Sequence, residues 1–232
     1  LRGPQGALFG RNTIGGAVLL STTQPGETLG GTVKLQLGSD NLRELFAAID
    51  LPISDDLKTR FTYGGKKQDG YVTRVFDGKD LGDSNHYTLT AKTVYTPSES
   101  LELKFNADYT EANENGAPLV FAASNESATF QKVASADAGC PGFDGVWNSL
   151  PAVPLIDDTR CANDFWAEGE FKNNGTAPLE SKLENWGASF HIAYKVNDEL
   201  TLKSITSYRE LQWSGNRDAD NTPFTILHTD YD

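Results

Sequence analysis

The stretch Leu1-Arg-Gly-Pro-Gln-Gly-Ala-Leu-Phe-Gly-Arg-Asn-Thr-Ile-Gly-Gly-Ala-Val-Leu-Leu20, followed by Ser21-Thr22-Thr23, decides the reading of this chain. Two glycine-rich turns, Gly3-Pro4-Gln5-Gly6 and Gly15-Gly16, bracket the apolar pair Leu8-Phe9. Glycine reaches backbone conformations that other residues avoid, and proline presets a turn. The run Ala17 to Leu20 has the length of one short, well-buried strand. A glycine-rich loop can also cradle a phosphate, but here no Gly-Lys-Ser/Thr follows and no strand precedes the glycines. Gly15-Gly16 leads into a β-like run and not a helix, so the stretch reads as a structural word and not a phosphate loop.

Beyond Pro25 the texture changes to alternation with a period of two, which predicts strands with one apolar and one polar face. The first covers Thr32–Leu37 and the second about Leu42–Leu51, with Leu45, Ala47, Ile49 and Leu51 opposite Glu44, Phe46 and Asp50. Phe46 breaks the polar face of that strand. A third runs over about Leu57–Lys66 and a fourth over His86–Thr96. The fifth, Leu101 to about Thr110, is the cleanest: Leu101, Leu103, Phe105, Ala107 and Tyr109 face away from Glu102, Lys104, Asn106 and Asp108. A sixth covers Asn185–Val196, and a seventh runs from Leu200 to about Trp213 with ambiguous facing, since Leu202 and Ile205 fall on opposite sides. Ser214–Asp232 is polar and reads as the start of a loop.

Connections after the first hairpin alternate between short turns at Pro52, Pro97 and Asn197 and long segments from Gln68, Glu111 and Ser214. That alternation, with strands of about ten to twelve residues, is the signature of a membrane β-barrel, since soluble strands average about five or six. Tyr87 and Tyr95 share a face eight residues apart, as do Trp186 and Tyr194. At about 3.4 Å per residue and about 40° tilt, each pair spans roughly 21 Å along a barrel axis, which suits two aromatic girdles. A soluble sandwich would need a second dry face, and the face opposite carries charges on most strands.

The bulk numbers agree. The chain has 232 residues, 38% hydrophobic and 10% aromatic, and its mean hydropathy is −0.44. No run approaches the length of a membrane-spanning helix. Its net charge of −12 excludes a nucleic-acid partner, which would require a basic surface, and weighs against anionic lipid surfaces. Half of that charge lies between Asn113 and Leu183, where ten acidic residues meet four basic ones. Methionine is absent and the chain opens inside a motif, so the sequence reads as an internal piece of a longer one.

Cys140 and Cys161 lie in the same strand-poor region, where a loop disulfide is the leading reading and two free thiols the other. With His86, His191 and His228 scattered, no metal site or cofactor is expected. Neither a nucleophile motif nor a zinc-protease motif is present, so the chain is not expected to be an enzyme. Asp157-Asp158 could pair as acid and base, but a solvated acidic face is the plainer account in so acidic a loop. Aromatic residues of the long loop, Trp147, Phe165, Trp166 and Phe171, are candidate contacts for a bulky ligand, with self-packing of the loop as the alternative.

The opening word resembles the end of the plug domain of the TonB-dependent outer-membrane receptors, where a very similar run stands directly before the barrel. A second family-like stretch is Leu202–Arg209 with Asn216–Asp220 after it. The resemblance implies an all-β chain: residues 1–28 as the C-terminal end of a plug, and residues 29–232 as about seven strands of an antiparallel transmembrane β-barrel of 22. On this reading the loop at about 111–183 is extracellular. Arg2, Gly3, Pro4, Gln5, Gly6, Leu8, Phe9, Gly10, Arg11, Asn12, Gly15 and Gly16 match the plug word and would be structural, Arg2 and Arg11 pairing with plug or wall carboxylates. Glu44, Asp50, Glu102 and Asp108 are expected on the inward face. The implied role is energised uptake of a scarce ligand, foremost a ferric siderophore, across the bacterial outer membrane. Its partners would be outer-membrane lipid, the small-molecule ligand and a TonB-type energising protein. A passive outer-membrane channel and a soluble β-rich binding module are the alternatives. The expected form is an open, curved antiparallel sheet.

Overall fold

A computed structural model describes residues 3–4, 6–9, 15–16, 18, 22–123, 133–135, 137–140, 159–162, 164–224 and 227–232. Among these residues the helical turn α1 (Gly6–Phe9) is followed by eleven strands. These are β1 (Gly30–Leu37), β2 (Arg43–Pro52), β3 (Leu57–Gln68), β4 (Val72–Arg74), β5 (Asp80–Leu81), β6 (Ser84–Ser98), β7 (Leu101–Glu114), β8 (Lys172–Asn173), β9 (Glu180–Lys195), β10 (Thr201–Asp218) and β11 (His228–Tyr231). Eight of them form one open sheet in the order β1-β2-β3-β6-β7-β9-β10-β11, every neighbouring pair antiparallel. Sequence neighbours are sheet neighbours throughout, once the short strands β4, β5 and β8 are set apart. Those three make a second small sheet, β5-β4-β8, whose β4–β8 pair is parallel.

All seven expected long strands are present, and most run further than alternation alone indicates. β9 begins at Glu180 and β10 continues to Asp218, so the polar ends of strands escape a reading keyed to hydrophobic periodicity. The segment expected to be plain loop after Ser214 instead supplies the end of β10 and the eighth strand, β11. In the opening word, the apolar pair Leu8-Phe9 sits in the helical turn α1. Gly3 and Gly16 have φ of 81° and 137°, the left-handed region that favours glycine. The strand expected at Ala17–Leu20 lies outside the described residues except for Val18, which is not in a strand.

Each turn has a local cause. Asp40 and Asn41 both adopt φ near 55° in the β1–β2 turn, a conformation that short polar side chains tolerate. Asn197 Oδ1 accepts the backbone N–H groups of Glu199 and Leu200 at 3.0 and 2.8 Å and closes the β9–β10 turn. Pro97 sits where the β6–β7 register shifts between Tyr95 and Ser98, a bulge that leaves its missing N–H without consequence. At this end of the sheet the connections are short: 53–56, 99–100 and 196–200. At the other end lie residues 38–42 and 69–83 and the described residues of 115–179 and 219–227, including the whole small sheet.

Register fixes the two faces of the large sheet. One lateral row reads Val33, Ala47, Tyr63, Leu89, Tyr109, Trp186, and the next toward the short turns reads Gly31, Ile49, Phe61, Ala91, Ala107, Ala188, Tyr208. Further rows carry Phe105 and Phe190, then Leu103 and Ile192, so this face is apolar over most of its height. Its large side chains stay open to the surroundings: Phe61 is 47% and Phe105 44% exposed. A broad trough of about 1180 Å³ follows the same rows past Phe61, Leu89 and Trp186. Tyr87–Tyr109 and Trp186–Tyr208 ring pairs, with centroids 6.0 and 5.3 Å apart, edge the face toward the long loops, and Tyr95 and Tyr194 edge it toward the short turns.

Candidate functional site

The opposite face is polar and ion-paired. Glu44, Asp50, Glu102 and Asp108 all point to it, as their register parity requires. Asp50 Oδ2 accepts a hydrogen bond from Arg60 Nη1 at 2.5 Å, strand to adjacent strand. Glu102 meets Lys104 at 2.9 Å. Asp108 takes both terminal nitrogens of Arg209, at 2.7 and 2.8 Å, although β9 lies between their strands. Gly187 makes that reach possible: it stands between Asp108 and Arg209 in the lateral row, and a Cβ there would come within 2.8 Å of the guanidinium. Phe46, the aromatic out of place in the alternation, lies on this face beneath Lys34, whose Nζ is 5.8 Å from the ring centroid. A cation above its π-face explains an aromatic that hydrophobic patterning alone could not.

A segment of the N-terminal region lies against this polar face. Lys92 Nζ donates to Thr22 Oγ1 and, at 3.0 Å, to the Thr23 carbonyl. Asp50 Oδ1 accepts the Gly26 N–H at 2.9 Å, and Lys58 pairs with Glu27 at 2.7 Å. The hydrogen bond and charge of Lys58 hold the Glu27 carboxyl below its usual range. Arg2, Gln5, Gly10, Arg11 and Asn12 lie outside the described residues, so their expected partners are not seen.

At the long-loop end three connections lock together. Val72, Leu81 and Leu179 form a small buried cluster with Val120 packed against it. Arg74, 3% exposed, donates to the Ala177 carbonyl at 2.6 Å and through Nε to Asp77 Oδ1 at 2.8 Å, with a second contact from Nη2 to Oδ2. Hydrogen bonding to Arg74 holds the Asp77 carboxyl down at about 2. Asn173, fully buried, donates to the Leu119 carbonyl at 2.8 Å and to Asn221 Oδ1 at 2.9 Å. Asp218 is the hub: Oδ2 accepts the N–H groups of Thr176 and Ala177, and Oδ1 those of Asp220 and Asn221, all within 3.2 Å. Burial pushes the neighbouring Asp220 carboxyl upward, as it does Asp83 in the first long connection.

Asp218, Asp220 and His228 bring potential ligand atoms within 4.8 Å of one another. Each Asp218 oxygen already accepts two backbone donors, and Asp220 accepts from Thr222 and Leu227. Such saturation marks a turn-closing knot.

Cys140 and Cys161 form a disulfide, with Cα atoms 4.9 Å apart. Beside it, Trp166 Nε1 donates to the Cys161 carbonyl at 3.1 Å, and the ring meets Phe165 and Phe224 edge-on at centroid distances of 4.9 and 6.3 Å. Two of the four candidate ligand aromatics, Phe165 and Trp166, thus pack within the loop. Phe171 is 61% exposed at the edge of the small sheet, where its carbonyl accepts the Thr73 N–H at 2.9 Å. Trp147 lies outside the described residues. Sequence reading missed Arg74, Asn173, Asp218 and Asn221. Single buried polar residues leave no periodic trace, although Asp218 falls within the family-like stretch Asn216–Asp220.

Long antiparallel strands, one apolar and one ion-paired face, and long connections gathered at a single rim match part of the wall of a β-barrel. The chain has the fold of a TonB-dependent receptor fragment. No protein-family model matches it. It is similar to the ferric yersiniabactin uptake receptor FyuA from Yersinia pestis, with a TM-score of 0.63 and 17% identity over 93% of this chain and 28% of that one. It is similar also to the ferric-catecholate import receptor Fiu from E. coli K12, with a TM-score of 0.64 against both forms. Identity is 14% to the open form, over 99% of this chain and 32% of that one, and 16% to the closed form, over 99% and 30%. In sequence it is 26% identical over 132 residues to the vitamin B12 transporter BtuB of Vibrio vulnificus (strain YJ016), covering 56% of this chain and 21% of that protein. The chain therefore spans about a fifth of that relative and under a third of the solved structures.

Proposed function

We propose that this chain is the N-terminal wall of an outer-membrane receptor for energised uptake of a scarce ligand, foremost a ferric siderophore. Residues 1–28 would be the end of a plug and residues 29–232 the first part of its barrel, with the apolar face toward lipid and the loop at about 111–183 outside the cell. The observation that carries this reading is the segment Thr22–Glu27 lying along the polar face, held there by Lys92, Asp50 and Lys58. A passive channel with the same strands has no need of chain leading into its lumen. Receptors of similar fold take up ferric yersiniabactin or import ferric catecholates, and the relative in sequence transports vitamin B12. That range supports a metal chelate as cargo. Among the candidate contacts, Phe171 is the exposed aromatic suited to meet it, while Phe165 and Trp166 would act by shaping the loop.

The test is uptake of radioactive iron on defined siderophores by a receptor-deleted bacterial strain carrying the complete protein. Accumulation that stops on adding a protonophore is expected. Flux indifferent to the protonophore would instead indicate the passive channel, and recovery of the protein without detergent a soluble binding module.

A further inference from the structure

We propose that Arg43, Lys67 and Tyr63 bind the phosphate of a membrane lipid on the apolar face of the wall. The site rests on the reading above that this face meets lipid. One lateral row near the long connections reads Leu37, Arg43, Lys67, Asn85, all on the apolar face. Arg43 of β2 and Lys67 of β3 are therefore direct partners, and like charges directly opposite destabilise a sheet. On the polar face the adjacent pair, Glu44 with Lys66, is complementary. Both Arg43 and Lys67 are exposed, and among the described residues neither has an ion-pair partner. Asp69, two residues beyond Lys67, accepts the Asn41 amide. Glu111, two strands on from β3, is taken by the hydroxyls of Tyr87 and Tyr109. An anion from outside the chain would relieve the repulsion that its own carboxylates leave unmet.

A groove of about 320 Å³ opens beneath the two cations, floored by Leu35, Leu45 and Tyr87. Both leucines stay exposed. Gly65 stands between Tyr63 and Lys67 along β3, and a Cβ there would collide with the Tyr63 hydroxyl. The phenol thus lies up the strand toward Arg43 and Lys67, and its hydroxyl has no hydrogen-bond partner among the described residues. Three donors without a protein acceptor stand at the top of an apolar groove. That combination fits an amphiphile, with phosphate oxygens on Arg43, Lys67 and Tyr63 and an acyl chain along Leu35 and Leu45. A free phosphate would leave the apolar floor unused, and a neutral headgroup would leave the cations unmet. The chain's net charge of −12 opposes anionic lipid in general. At this row the local charge is positive, and salt screens exposed charges more than about 8–10 Å away.

In the test, the complete receptor in non-ionic detergent is titrated with lipid A, a phosphorylated glucosamine lipid. Bound lipid is counted by native mass spectrometry. Arg43→Gln/Lys67→Gln should weaken binding at least about tenfold, the scale of lost charge-assisted contacts. Lys34→Gln/Lys66→Gln removes the same charge from the polar face and should leave binding within about twofold. Equal losses from the two pairs, or none from the first, would overturn the site. The wild-type protein gives a reading that depends on no variant. Lipid A stripped of its phosphates should bind at least about tenfold more weakly, and equal binding would overturn the proposal. Inorganic phosphate at the same concentration should not displace the lipid, and displacement would assign the cations to the free anion instead. A complete protein that stays in solution without detergent would overturn the membrane reading and the site with it, whereas the other failures overturn the site alone.

Discussion

Single residues decide two features of this wall. Arg74 is a buried cation whose charge is met by Asp77, so Asp77→Asn leaves the guanidinium with the Ala177 carbonyl and a neutral amide. A charged hydrogen bond of this kind contributes about 1.5–3 kcal/mol, and a loss of that order is expected in the local stability of the small sheet, read by hydrogen exchange at β4. Its pH dependence has a definite sign. The folded carboxyl sits at about 2, below its ordinary 3.8, so the contribution is complete above about pH 4 and lost as pH falls toward 2. Asp83 and Asp220, whose carboxyls burial raises, act in the opposite direction, favouring the fold when protonated and costing stability as pH rises through their titration. Gly187 is the second case. Gly187→Val places a branched side chain where Arg209 crosses, so the coupling between positions 108 and 209 in a double-mutant cycle should fall to near zero from about 0.5–1 kcal/mol, the scale of an exposed pair.

At the level of the strand, the two faces make opposite demands on neighbouring positions. In β9, Phe190 lies on the apolar face and Ser189 on the polar one, where its Oγ accepts from Asn106 Nδ2 at 3.2 Å. Phe190→Arg should cost about 2–4 kcal/mol in a membrane-embedded barrel and Ser189→Arg almost nothing, measured as folded protein recovered in outer membranes or as unfolding from bilayers. Alternation made this much legible from residues alone: strand order, facing and the side of the long connections follow from a period of two and from turn residues. β10 shows the limit. Leu202 joins the apolar face beside Tyr194, and Ile205 the polar face opposite His191, so the two residues that made its facing ambiguous do point apart. Phe46 was unreadable for a related reason, because its partner Lys34 is chosen by register and not by sequence spacing. β4, β5, β8 and β11 are too short or too polar to carry a periodic signal.

For the whole molecule, the relevant division is between a sheet that holds by its ladder and a loop assembly that holds by buried polar groups and a disulfide. Replacing Cys140 and Cys161 by serine opens a link across 21 residues, worth about 3 kcal/mol to the closed state on the chain-entropy account. The effect should stay local: faster proteolysis between β8 and the cysteines, with unchanged heat-modifiable migration of the barrel. Loss of the barrel itself would show that the two parts are one cooperative unit. The candidate ligand aromatics divide along the same line. Phe165 and Trp166 belong to loop packing and Phe171 to its exposed surface, a distinction that composition could not supply because all three look alike in sequence.

The contact from Arg74 to Ala177 spans 103 residues of chain, and that from Asn173 to Asn221 another 48. Neither can form until the hairpins between them have paired, because loop closure over such distances is entropically costly and is met late in folding. The locked loops therefore act as a clock as well as a clasp. Their closure reports that the hairpins β6–β7 and β9–β10 have reached register, and a chain stalled during assembly would lack these loop contacts while its strands were already paired.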